Sequence, residues 1–181
     1  AFCAYPTRAG RLTLASVDTV ERELESMRAV GGVRNVVFID DTFNVPLPRF
    51  KQLCRRMIDR RFGFEWFSYF RCSNVDEEAV ALAAESGCRG VFLGIESASN
   101  VVLAHMNKAA TIDHYRRGIA LLRRYGILTF GSFIAGHPGE TDDTFRETGA
   151  SRRFGKRLFY LAMPVIFDPQ TLIIARLGEW V

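Results

Sequence analysis

The sequence predicts an α/β fold built as a partial TIM-type (βα)6 barrel, with parallel strands inside and helices outside. Three observations lead there. Apolar, strand-like runs begin about every 26 to 37 residues, the length of a βα unit. Capped amphipathic stretches that stop at glycines lie between them. Every strand also ends in polar residues: Asp40 and Asp41 after the first, Arg71 after the second, Glu96 after the third, His137 and Glu140 after the fourth, Asp168 after the last. In parallel barrels these carboxyl ends form the ligand-binding rim, so the third observation favours a barrel over a doubly wound sheet, which shares the first two.

The elements follow in order. Ser16 caps a helix to about Ala29 that carries Asp18 and Glu21 in its first turn and stops at Gly31-Gly32. Asn35 to Ile39 reads as a buried strand. Pro46 and Pro48 open a second helix to about Arg61, Glu65 to Phe70 is a strand, and Asp76 to Ser86 is a third helix stopped by Gly87. Val91 to Ile95 is apolar without alternation, as expected of a strand buried on both faces. Ser99 to Asn107 reads as a short helix, and Thr111 caps a longer one that runs to Tyr125 and ends at Gly126. Leu128 to Ala135 is a strand, Glu140 to Arg153 a helix, and Lys156 to Phe167 contains a last strand.

The 181 residues suit one domain, and 48% hydrophobic with 24% charged residues excludes a disordered class. A net charge of +4 invites a nucleic-acid partner. The arginine pairs Arg60-Arg61 and Arg123-Arg124, however, fall at helix ends, where cations complement the dipole, so the charge does not call for nucleic acid. The longest apolar run, Leu158 to Phe167, contains Pro164 and is too short to cross a bilayer. Cysteines at 3, 54, 72 and 88 are too dispersed for a disulfide framework and suggest a reducing, cytoplasmic setting. An opening at Ala1-Phe2-Cys3 and a close at Glu179-Trp180-Val181 read as a domain fragment, residues 1–181, truncated at both ends.

Among single residues, Glu96 is either a ligand contact at a strand's carboxyl end or an acid favouring the next helix's amino end. His137, in Gly136-His137-Pro138-Gly139, reads first as a turn residue. Met27, Met57 and Met163 are expected to fill the core, and Cys54 and Cys88 to be inert core thiols; Cys72, just past a strand end, stays open. Neither a nucleophile elbow nor a glycine-rich phosphate loop is present.

In combination these residues resemble the radical S-adenosylmethionine (SAM) superfamily. Phe2-Cys3 followed by Ala4-Tyr5-Pro6 resembles the end of the family's CxxxCxxC loop, whose first two cysteines would lie upstream of Ala1. The resemblance implies Cys3 as a ligand of a 4Fe–4S cluster and Phe2 as the aromatic beside it. It further implies Asp40, Asp41 and Thr42 near the SAM amino nitrogen, Arg71 and Ser132 towards the ribose, and Glu96 with Lys108 around the SAM carboxylate. Ile134 and Gly136 would line the adenine. Gly94-Ile95-Glu96-Ser97 with Lys108 twelve residues after the glutamate is the most specific match, and a helix of about nine residues would carry Lys108 roughly 13 Å from its start.

The implied chemistry is reductive cleavage of SAM to methionine and a 5′-deoxyadenosyl radical, fed by an electron donor such as flavodoxin or ferredoxin. Phe38 to Phe43, the Gly94 to Lys108 block and Gly136 to Thr141 are most similar to the branch in which a cobalamin-binding domain precedes the cluster loop, which implies methyl transfer to a substrate that the sequence does not name. Hydrogen abstraction or sulfur insertion without cobalamin is the alternative within the family. Outside it stand an acid/base TIM-barrel enzyme using Glu96, Arg71 and Asp41, and a non-catalytic scaffold.

Overall fold

The computed structural model describes residues 13–149 and the backbone of 158–164. Helices α1 (Val17–Val30), α2 (Leu47–Asp59), α3 (Glu77–Glu85), α4 (Asn100–His105), α5 (Ile112–Arg124) and α6 (Asp142–Gly149) alternate with strands β1 (Asn35–Phe38), β2 (Glu65–Phe70), β3 (Cys88–Glu96), β4 (Leu128–Ala135) and β5 (Leu158–Pro164). The caps are those the sequence indicates. The Ser16 side chain accepts from Thr19 N, Asp76 from Ala79 N, and Thr111 from His114 N in a capping box. Several boundaries differ: β1 stops at Phe38, β3 extends over Cys88–Glu96, the helix after it covers only Asn100–His105, and α6 begins at Asp142, because Thr141 Oγ1 takes the Thr144 amide while Glu140 reaches back to the preceding turn.

All strand pairs are parallel, and the spatial order β1-β2-β3-β4-β5 repeats the chain order. A doubly wound sheet needs a reversal where its crossovers change direction. None occurs among the described strands, so the sheet is an arc of a (βα) barrel, supplying five strands of the expected six-unit barrel.

The core lies between the convex face of this arc and the helices. Trp66, Phe50, Leu53, Leu24, Val91 and Ile95 are fully buried there, and Phe38, Phe43, Phe50, Trp66 and Phe70 meet in edge-on and stacked pairs. Trp66 Nε1 donates to the Ser86 carbonyl at 3.1 Å, so its burial leaves no orphan donor. Truncating such a ring costs about 3–5 kcal/mol. Glu21 is buried between α1 and α2 but paired with Arg56 of α2 and Arg60, which caps it.

Three expectations about burial fail. Strand β1 is not a buried strand: Val36 is buried, but Val37 and, just past the strand, Ile39 are 57% and 81% exposed. Strand β3 is not buried on both faces: Val91, Leu93 and Ile95 face the helices, whereas Phe92 is exposed on the concave side, stacked on Phe130 and tilted against Tyr69 with centroids 5.0 and 5.4 Å away. Helices cover only the convex side of the arc, so apolar residues on the other side line its interior. Met27 is likewise exposed, lining a cavity of about 230 Å³ between α1 and β1, while Met57 is buried as expected. The side chain of Met163 and residue Asp168 lie outside the described residues. Among the described residues no helix is long and apolar enough to cross a membrane.

Candidate functional site

The site forms where β3 ends. Ser97 N donates to the Ile95 carbonyl at 3.0 Å, closing a γ-turn around Glu96, whose φ is +70°. That hand of γ-turn is rare and strained for a residue with a side chain. The same kink shifts the β3–β4 register between Gly94 and Glu96. It carries the carboxylate back over Gly94 rather than onward into the next helix, which argues against the helix-acid reading of Glu96.

Lys108 arrives from the other direction. The helix between them is six residues, not nine, so it advances only about 9 Å. After it Asn107 adopts φ +54° and the Lys108 amide bonds to the Leu103 carbonyl at 2.9 Å, which turns the chain back toward the strand end. Lys108 Nζ then lies 2.9 Å from Glu96 Oε1, with the two side chains 19% and 12% exposed. At that burial the pair is screened far less than a surface ion pair.

Neighbours from β2 and α5 complete the group. Tyr115 Oη donates to the Gly94 carbonyl at 3.2 Å. Burial raises its phenol pKa, helped by Cys72 and Glu96 and opposed by Arg71, so the ring stays a neutral donor. Arg71 is exposed at the end of β2. Burial pushes the Cys72 thiol up to about 12, against a lowering by the Lys108 ammonium.

The loop after β1 is pinned to the same rim. Phe43 N donates to the Tyr69 carbonyl at 3.1 Å, and the buried Asn44 carboxamide accepts from Arg71 N at 2.8 Å while donating to Arg71 O at 3.0 Å. These bonds hold Asp40, Asp41 and Thr42 beside the end of β2; Asp40 also lines the cavity against α1. After β4, Ser132 Oγ donates to the Leu93 carbonyl at 3.4 Å, and half-buried Ile134 leads to Gly136 at φ +84°, whose amide donates to Glu140 Oε2 at 2.6 Å. Gly139 packs so closely on His105 of α4 that a side chain would overlap the imidazole.

The structure thus gathers Gly94, Glu96 and Lys108 into one group. Asp40, Asp41 and Thr42 follow β1, Arg71 follows β2, and Ser132, Ile134 and Gly136 lie in or just after β4. Phe2 and Cys3 lie outside the described residues. Tyr115 and Asn44 were not foreseen. A tyrosine on the apolar side of an amphipathic helix reads as core, and an asparagine after Asp-Asp-Thr-Phe reads as a turn residue. Chemically, an ammonium and a carboxylate side by side above an apolar, aromatic concave face complement a zwitterion joined to an apolar body.

Comparison with known proteins gives related sequences and structures. A profile described as the radical SAM superfamily matches residues 1–150. The chain is 29% identical over 158 residues to an uncharacterized methyltransferase of Pyrococcus horikoshii, covering 87% of this chain and 34% of that protein. It is 31% identical over 128 residues to the anaerobic magnesium-protoporphyrin IX monomethyl ester cyclase of Rubrivivax gelatinosus, covering 70% and 23%. In three dimensions it resembles the radical SAM methyltransferase TsrM of Kitasatospora setae, solved with cobalamin and a [4Fe-4S] cluster, with TM-score 0.73 and 27% identity over 81% of this chain and 31% of that one. The chain therefore spans about a third or less of these relatives.

Proposed function

The chain belongs to the radical SAM superfamily, and on that premise we propose that its protein binds S-adenosylmethionine at the Glu96–Lys108 rim, cleaves it reductively at a 4Fe–4S cluster, and transfers a methyl group with the help of cobalamin held by an upstream domain. The observation that carries the binding role is the Lys108–Glu96 pair, 2.9 Å apart over Gly94 at a strained strand end. Similarity to a cobalamin-bound methyltransferase at 27% identity over 81% of the chain supports the cobalamin step. A low-potential donor such as flavodoxin or ferredoxin and a reducing, cytoplasmic setting suit this chemistry.

The rim fits S-adenosylmethionine. Lys108 faces the carboxylate, Glu96 holds the ammonium there and adds an acceptor, and Asp40, Asp41 and Thr42 offer acceptors to the amino nitrogen. Arg71 and Ser132 lie toward the ribose, with Ile134 and Gly136 toward the adenine. Phe92 and Phe130 present rings to the concave side, where they exclude water and offer no exchangeable hydrogen, with the Tyr69 ring against Phe92. When bound, S-adenosylmethionine supplies one-electron chemistry at unreactive carbon and a methyl group.

The described thiols do not fit the cluster: Cys54, Cys72 and Cys88 are buried in the core, with pKa values raised by burial. Its ligand in this chain is assigned to Cys3, with Phe2 beside it. The decisive experiment gives full-length, anaerobically reconstituted protein S-adenosylmethionine labelled in its methyl group, with and without cobalamin. Reductive formation of 5′-deoxyadenosine together with cobalamin-dependent label transfer is expected. If 5′-deoxyadenosine forms while label transfer never does, the methyl-transfer step is overturned and hydrogen abstraction alone remains.

A further inference from the structure

The strained turn at Glu96 is followed by a buried loop that a side chain from α6 reaches. Ser97, Ala98 and Ser99 are 0%, 0% and 2% exposed. Thr148, near the end of α6, reaches this loop: its Oγ1 accepts from Ala98 N at 3.1 Å, lies 3.2 Å from Ser97 Oγ, and donates to the Thr144 carbonyl at 3.2 Å. Ser97 Oγ in turn accepts from Ser99 N at 3.1 Å. A hydroxyl has one proton and two lone pairs. With the Thr148 proton committed to Thr144, its lone pairs take Ala98 N–H and Ser97 O–H, and all three groups are satisfied.

We infer that Thr148 is a positioning residue for the S-adenosylmethionine site: by clamping Ser97 and Ala98 it holds the adjacent γ-turn closed and fixes the Glu96 carboxylate against Lys108. This rests on the reading of Glu96 and Lys108 given above. A non-glycine residue at φ +70° persists only where its surroundings over-determine it. On the amino side Glu96 is fixed by the sheet and by the Tyr115 bond to Gly94. On the carboxyl side, among the described residues, Thr148 is the side chain outside the loop that bonds directly to both Ser97 and Ala98. Without it two buried groups lose their partner, and the loop can recover them only by opening toward water. The clamp also ties the β3 rim to α6, which follows the Gly136–Glu140 turn of β4.

The test is a mutant cycle on the full-length protein, read by calorimetric titration of S-adenosylmethionine alongside thermal melting. Thr148→Val removes the hydroxyl at nearly constant shape; Thr148→Ser keeps it. Thr148→Val is expected to weaken affinity about fivefold to tenfold and Thr148→Ser to restore it. In a Glu96→Ala background Thr148→Val is expected to add nothing, because its effect passes through Glu96. Ser97→Ala, which cuts one arm of the clamp, supplies a second entry to the cycle if Thr148→Val does not fold. Wild-type affinity in folded Thr148→Val, or an equal loss in both backgrounds, overturns the inference and leaves the binding site standing. Wild-type affinity in Glu96→Ala instead overturns the placement of the site, and the positioning role with it.

Discussion

A methyl group built on Gly94 would stand 2.6 Å from Glu96 Oε1 and 3.3 Å from Lys108 Nζ. The glycine is therefore the seat of the carboxylate, and its missing side chain is what lets a strained strand end fold its acid back over the sheet. The obstructing atom is the tip of a side chain rather than backbone, so the protein can accommodate the methyl by moving the carboxylate.

Gly94→Ala is accordingly expected to fold with a melting temperature close to wild type while losing about tenfold or more in affinity for S-adenosylmethionine. Titration beside a melting curve reads both quantities. A large fall in melting temperature with unchanged affinity of the folded fraction would assign Gly94 to packing alone.

Glu96→Ala and Lys108→Ala test the pair directly. Charge-assisted hydrogen bonds contribute about 1.5–3 kcal/mol, so each variant is expected to weaken S-adenosylmethionine by about tenfold to a hundredfold. Each leaves its partner uncompensated in a site under one-fifth exposed, so some loss of stability accompanies it. Restored stability without restored affinity in the double variant would separate the two effects; unchanged affinity in both single variants removes them from the site.

The barrel was legible because its signals are local and repeated. Ser16, Asp76 and Thr111 cap the helices the sequence marks, and β2 and β4 fall on their expected bounds. The order of strands was also readable, since short crossovers leave little freedom. What escaped was geometry that depends on distant partners. The γ-turn at Glu96 has no glycine to announce it, and the return of Lys108 depends on Asn107 entering the left-handed region. Burial of Cys72 follows from α5 packing on the turn after β2, a contact no local pattern encodes. Phe92 looked buried on an apolar strand because sequence cannot distinguish a helix-covered face from the concave lining of a barrel.

That α5 contact makes a contrasting prediction. A side chain on Gly118 would overlap the Cys72 carbonyl oxygen and stand 2.9 Å from the Cys72 carbonyl carbon and Cβ. Backbone cannot swing away as a carboxylate can. Gly118→Ala is therefore expected to destabilise by about 1–3 kcal/mol, the usual cost of overpacking, seen as a lowered urea midpoint. An unchanged midpoint would mean that the helix shifts freely on the turn, which the buried Tyr115 and Ile119 beside it oppose.

The buried thiols carry the last prediction, on pH. Burial pushes Cys54 and Cys72 up to about 12 from an ordinary value of 9.0, and Cys88 is raised as well. Above pH 9 the unfolded chain releases these protons while the folded chain keeps them, so the folded state binds more protons and stability falls as pH rises. The contribution is intact below about pH 9 and is lost progressively toward about pH 12. By pH 9.5 the loss amounts to about 0.8 kcal/mol per thiol for an unfolded value of 9.0. Urea unfolding of the full-length protein at pH 8 and 9.5, beside Cys54→Ala and Cys72→Ala, measures it: each variant should show a shallower fall than wild type. The same burial means that a thiol reagent at pH 8 modifies these cysteines only at the rate of unfolding, and that neither variant loses cluster iron. Fast labelling of Cys72 in the folded protein, or loss of iron in Cys72→Ala, would place that thiol at the rim and reopen the assignment of the cluster to the Cys3 loop.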